Sequence, residues 1–210
     1  MAKGYWIAHV DVRDPEKYKH YVAALQDVLR QFGGRYVVRA GQTEVVEGKA
    51  RSRIIVLEFP SYQVALDCYR SGEYAKAIPL RKPHADVDLM VIDGYGGVQP
   101  SQWSVPPAPA AKQGYWIGNI DVTDPEGYKA YTIADMEPLG KFGGHFLVRG
   151  GVREVMEGKF RSRTVVLEFP SHEAALACYR SEDYQAAKKL RDGRAEADFV
   201  VLAGYDGQQP

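Results

Sequence analysis

Gly4-Tyr5-Trp6-Ile7, Glu58-Phe59-Pro60-Ser61 and Cys68-Tyr69-Arg70-Ser71 all return later in the chain, as Gly114-Tyr115-Trp116-Ile117, Glu168-Phe169-Pro170-Ser171 and Cys178-Tyr179-Arg180-Ser181. A shift of 110 positions lays residues 4–100 on residues 114–210 without a gap, and about half the pairs are identical. So long a period, occurring twice, denotes a duplicated domain and not a solenoid. The chain of 210 residues therefore divides into a first repeat (1–100), a Pro/Ala-rich linker (101–113) and a second repeat (114–210). Each repeat has a common domain size of about 100 residues. The linker prolines favour an extended spacer of about 3.1 Å per residue, a reach of roughly 40 Å that lets one repeat dock on the other. Trp103 either pins that spacer to a surface or is exposed.

Within the first repeat, Tyr5 to Val12 alternates and is rich in aromatic and β-branched residues, which reads as a strand. Asp14-Pro15-Glu16 starts a helix, with Asp14 as cap and Pro15 at the first turn. Tyr18, Tyr21, Val22, Leu25, Val28, Leu29 and Phe32 recur at helical spacing, and Gly33-Gly34 supplies the stop. In the second repeat Pro138 and Gly140 fall inside the equivalent stretch, which predicts a helix kinked or broken near its last turns. Arg35–Arg39 and Ser52–Phe59 read as two strands of a long hairpin, joined through Gly41 and Glu47-Gly48. Ser61 caps a second helix, Ser71 starts a short following one, and Asp88–Ile92 is a fourth strand.

The order βαββαβ, twice, predicts an α+β chain of two ferredoxin-like domains, each a four-stranded antiparallel sheet with both helices on one face. The uncovered face needs another layer, and the duplicate is the obvious one, held at roughly millimolar effective concentration. The expected result is a pseudo-dimeric α/β barrel of two facing sheets, with a second chain as a further candidate partner.

Alternation separates the two faces. Trp6, Ala8, Val10, Tyr36, Val38, Ile55, Leu57 and Phe59 are expected under the helices. The inner face is expected to carry His9, Asp11, Arg39, Glu58 and Asp88 in the first repeat, and Asp121, His145, Arg149, Glu168 and Asp198 in the second. Charges facing such a space must be paired or hydrated. Two readings follow. Arg39, with Glu58 or Asp11, lines a pocket for a small polar or anionic molecule, or the same charges form salt bridges that fix how the repeats dock. In the first reading Arg39 and Arg149 are anion anchors, and Asp11, Glu58 and their repeats orient the ligand or act as acid and base. His9 and His145 are also candidates for acid or base work near neutral pH. Whether the chain is an enzyme stays open.

Other classes are disfavoured. The 27 basic residues balance the 27 acidic ones, so no long-range field attracts nucleic acid. No run nears the roughly 20 apolar residues of a membrane span, no signal-peptide core opens the chain, and a cytoplasmic protein is expected. No histidine recurs between repeats and no Cys/His metal spacing is present, so neither a metal nor any cofactor is expected. Cys68 and Cys178 read as buried free thiols.

The ordered set Tyr-Trp-Ile-x-x-x-Asp-Val, Asp-Pro-Glu-x-Tyr, Phe-Gly-Gly, Val-Arg, Glu-Gly-Lys, Leu-Glu-Phe-Pro-Ser and Cys-Tyr-Arg-Ser-x-x-Tyr covers nearly all of both repeats. It resembles the bacterial family known as domain of unknown function thirteen-thirty. The resemblance implies the dimeric α/β-barrel superfamily, with pairing through sheets. It implies a ligand between sheet and helices or inside the barrel, as in most superfamily relatives, which include monooxygenases and isomerases. Fold analogy does not transfer an activity.

Overall fold

The computed structural model describes residues 2–100 and 112–210, so the linker reading, Trp103 included, lies outside the described residues. The first repeat runs β1 (Gly4–Val12), α1 (Pro15–Phe32), β2 (Arg35–Arg39), β3 (Thr43–Glu47), β4 (Arg53–Phe59), α2 (Tyr62–Arg70), α3 (Gly72–Arg81) and β5 (Ala85–Asp93). The second runs β6 (Gly114–Val122), α4 (Pro125–Ala134), α5 (Met136–Lys141), β7 (His145–Arg149), β8 (Arg153–Glu157), β9 (Arg163–Phe169), α6 (His172–Arg180), α7 (Glu182–Lys189) and β10 (Ala195–Ala203).

Helix α1 begins where Asp14 accepts the Lys17 amide at 3.1 Å and ends where Gly33 takes φ +65°, a conformation that only glycine adopts freely. Its equivalent is broken at Asp135 into α4 and α5, because Pro138 lacks the amide that a continuous helix needs. Trp6, Leu57, Phe59, Leu29 and Tyr74 build the core under the helices of the first repeat, and Trp116, Leu167, Phe169, Leu139 and Tyr184 repeat it in the second. A third core lies between the sheets and draws on both repeats, with Ile7, Val56, Met90 and Ile92 facing Ile117, Val166, Val200 and Leu202. The two sheets thus pack face to face with helices outside.

Each sheet has five strands, not four, in the orders β2-β4-β1-β5-β8 and β3-β10-β6-β9-β7. Four strands of each are the ferredoxin-like set of one repeat; the remaining edge strand, β8 in the first sheet and β3 in the second, comes from the other repeat. The segment expected as a hairpin loop between Arg39 and Ser52 leaves its own sheet and pairs as β3 with β10, while β8 pairs with β5 in return. An exposed edge strand is a template for further pairing, and this exchange covers one edge of each sheet.

The exchange is locked by buried charge. Glu157 lies opposite Leu89 on the helix side and pairs with Arg81, whose side chain is 2% exposed. Glu47 pairs with Arg191 in the mirrored position. Tyr69 Oη also donates to Glu157, at 2.8 Å. The chain beyond β5 and beyond β10 crosses too: Gln209 bonds both backbone groups of Tyr36 at 2.8 and 3.0 Å, as Gln99 does for Phe146 at 2.7 and 3.0 Å. Removing one partner of a buried pair strands the other charge, which costs about 3–5 kcal/mol. An exposed pair such as Arg70–Glu154 contributes about 1 kcal/mol or less. Urea denaturation should therefore show Glu157→Ala far more destabilised than Glu154→Ala, although the two residues share one strand.

Candidate functional site

A bulge decides which face carries the arginines. Tyr36 pairs with Leu57, yet Val38 pairs with Val56, so Val37 is an extra residue in β2. Val37 and Val38 both enter the inter-sheet core, and every later side chain changes face. Val38 is therefore not under the helices, and Arg39, opposite Ile55, is not on the inner face. The same bulge at Leu147 turns Arg149 opposite Val165. Arg39 pairs with neither Glu58 nor Asp11. The proposed constellation thus separates into three places.

At one end of the inter-sheet space, Asp11 accepts the Ser52 amide at 2.8 Å and Arg51 Nη1 at 2.9 Å. Asp88 accepts Arg51 Nε at 2.6 Å and the Lys159 amide at 3.1 Å. Asp121 and Asp198 do the same with Ser162, Arg161 and the Lys49 amide, at 2.7–3.0 Å. These carboxylates are engaged from both oxygens, and the amide bonds hold Asp11 and Asp121 below the usual carboxylate range. They anchor the loops through which the exchanged strands cross. Arg51 and Arg161 precede β4 and β9, so strand alternation does not mark them; their signal in the sequence is the repeated Arg-Ser-Arg. His9 lines the same cleft of about 330 Å³, with Phe160 5.2 Å from its ring. Thr164 donates to Asn119 Oδ1 at 3.0 Å, which turns the Asn119 amide nitrogen towards His9 Nε2 at 3.5 Å. Burial pushes the imidazole down to about 4 in spite of Asp88, so His9 is neutral at pH 7.

At the other end, Glu58 accepts from Tyr5 Oη at 3.1 Å and Arg35 Nε at 3.0 Å, and Glu168 from Tyr115 Oη at 2.6 Å. Burial raises the Glu168 carboxyl, and the Glu58 charge adds to it. His145 is opposite Glu168 in the ladder, and burial lowers its pKa.

The third place is between sheet and helices, and the repeats differ there. In the first repeat a cavity of about 310 Å³ is lined by Trp6, Tyr18, Tyr21, Leu25, Tyr36 and Leu89, with Arg39 and Arg53 also in its wall. No carboxylate lines it. Arg39 lies 4.5 Å above the Tyr36 ring and donates to Tyr205 Oη at 3.0 Å, so the second repeat supplies part of the wall. Burial raises the Tyr18, Tyr21 and Tyr36 phenols, which remain protonated. In the second repeat the equivalent space shrinks to about 20 Å³. Phe199 replaces Leu89, and its ring lies where a Cβ on Gly118 would come within 2.4 Å, so the glycine, in place of Ala8, makes room for it. Arg149 and Arg163 line both this chamber and a shallow outer groove of about 570 Å³. Asp135 replaces Leu25, is 6% exposed, and its Oδ1 has no hydrogen-bond partner among the described residues. Among the described residues no three His, Cys, Asp or Glu side chains converge as a metal shell would.

Burial pushes the Asp135 carboxyl up to about 6, against the pull of Arg149, Arg163 and Arg191. The native state thus keeps a proton that the unfolded chain has lost above pH 4, so this group's contribution falls as pH rises from about 4 to 6 and stays low above that. The full loss is about 3 kcal/mol. Asp135→Asn should be more stable than the parent at pH 7, and denaturation curves should show that gain fading as the pH is lowered towards 4.

No described helix is long and apolar enough to cross a membrane. No curated protein matches the sequence. Among solved structures, an anthrone oxidase-like protein superposes with a TM-score of 0.60 at 13% identity, over 99% of this chain and 93% of that one. An arginine-to-alanine variant of chlorite dismutase from Candidatus Nitrospira defluvii gives 0.57 at 8% identity, over 95% and 90%. At such identities the likeness shows the fold, the dimeric α/β barrel, here closed by two repeats of one chain. The model of the family described as domain of unknown function DUF1330 matches residues 3–95 and again 113–205, and the chain belongs to that family as a tandem duplicate.

Proposed function

We propose that the first repeat binds a small, flat, largely apolar acid between its sheet and helix α1, with Arg39 as the anion anchor. The observation that carries this reading is a cavity of about 310 Å³ whose wall is aromatic and aliphatic, with guanidinium groups and, among the described residues, no carboxylate. Ligand sites are commonly of this size and character, mostly apolar with a few polar groups that orient the guest. Arg39 is already stacked on Tyr36 and Tyr205, so its fork is held in place before a carboxylate arrives. Burial keeps the Tyr18, Tyr21 and Tyr36 phenols protonated, so the geometry supports binding and orientation rather than proton transfer by the chain. The aromatic wall agrees with the name of the anthrone oxidase-like neighbour, from which the fold alone is drawn.

A second reading suits the charged ends of the inter-sheet space. Asp11, Asp88, Asp121 and Asp198 are engaged by Arg51, Arg161 and loop amides, which favours a docking role for them over ligand contact.

Titration with 2-naphthoate, followed by calorimetry and by fluorescence of the wall residue Trp6, tests both readings. Loss of a charge-assisted hydrogen bond removes about 1.5–3 kcal/mol, or roughly 10- to 100-fold in affinity. Arg39→Met should weaken 2-naphthoate by that factor; unchanged affinity would end the proposal. Asp88→Asn should leave the affinity alone and lower the denaturation midpoint, and a matching loss of affinity would return the charged end to the binding site.

A further inference from the structure

We propose that the second repeat holds a separate site, for a small 2-hydroxycarboxylate, in which Arg149 takes the carboxylate while the hydroxyl donates a hydrogen bond to Asp135 and accepts one from Arg163. Two polar atoms in the wall of one chamber are left without a hydrogen-bond partner among the described residues: Asp135 Oδ1 and Arg163 Nε. Asp135 is more than nine-tenths buried. Buried polar groups are almost always satisfied, so a donor and an acceptor left unmet in the wall of one chamber point to a guest that completes both. Asp135 needs a donor and Arg163 needs an acceptor, and a hydroxyl group is both at once.

Size and charge narrow the guest further. The chamber, about 20 Å³, exceeds the roughly 10–15 Å³ that a single water-sized group occupies, and it has no room for a ring. It is lined by Arg149, Arg163, Tyr128 and Thr132, which also line the outer groove of about 570 Å³, so a larger body can lie outside while its hydroxyl reaches in. Arg149 is stacked over Phe146 at 4.4 Å and donates to the Thr132 carbonyl at 3.2 Å and Met136 Sδ at 3.6 Å; with no carboxylate partner among the described residues, it is placed to clamp a carboxylate in the groove. Arg191 is not in the chamber wall and pairs with Glu47. Two guanidinium groups against one carboxylate favour an anion. The first repeat cannot build this site, because Leu25 stands where Asp135 is and Val22 where Thr132 is. The inference is therefore independent of the naphthoate-binding cavity.

The test compares mandelate with phenylacetate, which differs by the hydroxyl alone, using calorimetry on the full chain. The parent should bind mandelate about ten-fold more tightly, Asp135→Leu should erase the difference, and Arg39→Met should leave it unchanged. Equal affinities in the parent, a preference that survives Asp135→Leu, or one that disappears in Arg39→Met would each overturn the site. Should Asp135→Leu not fold, Arg163→Met takes its place: it should weaken mandelate more than phenylacetate, and equal weakening overturns the proposal. A crystal soaked in saturating mandelate that shows only a water between Asp135 and Arg163 would overturn it as well.

Discussion

Ile7, Ile54, Val56, Met90 and Ile92 cover one face of a sheet whose helices are all on the other, and that apolar face cannot stay in water. Each such side chain gains roughly 1.5–3 kcal/mol from burial. The duplicate repeat offers the same face, with Ile117, Val166, Val200 and Leu202, and the two close on each other. Because side chains fill the space between the sheets, the middle of the barrel leaves little room for a guest. Open volume survives at the charged rim and between sheet and helices, and only the latter combines enclosure with ungrouped arginines.

Strand exchange then ties the sites to the pairing. Tyr205 closes the wall of the first-repeat cavity, and Glu157 holds Arg81 in its lining, although both residues belong to the second repeat. A single repeat would lack both. A ligand in that cavity contacts residues that are in place only when the repeats are paired, so by linkage it stabilises the pairing by the same free energy with which the pairing improves its binding.

The repeat, the strand-helix order, the Asp14 cap, the break near Pro138 and the need for a sheet-to-sheet partner were all legible in the residues. Three features were not, for different physical reasons. Thr43–Glu47 is short, partly polar and flanked by Gly41 and Gly48, so it has the composition of a turn; its strand pairing is supplied by a distant β10. The bulge at Val37 leaves no mark, because Val-Val-Arg fits either register, yet it moves Arg39 from the barrel to the helix side. Asp135 has no counterpart carboxylate in the first repeat, so recurrence does not mark it. Its signal was the reverse, a carboxylate in the apolar stripe of a helix where the other repeat has Leu25.

That difference is informative because burying a carboxylate without a partner is costly, and a chain that only needed to fold would do better with leucine. The surrounding substitutions do not relieve the cost. Phe199 fills volume, as expected of a space being closed, but it leaves the Asp135 and Arg163 polar atoms in the chamber wall without partners among the described residues. Closing a redundant cavity would have been simplest with apolar residues throughout. Retention of opposite unmet charges at the narrow end of a groove points to a space shaped for a polar group. The two repeats share one backbone plan, but the first offers an anion anchor in a roomy aromatic wall, and the second a tight polar chamber. A ring that fits the first is excluded from the second chamber by its size, and a group without a donor by the uncompensated carboxylate.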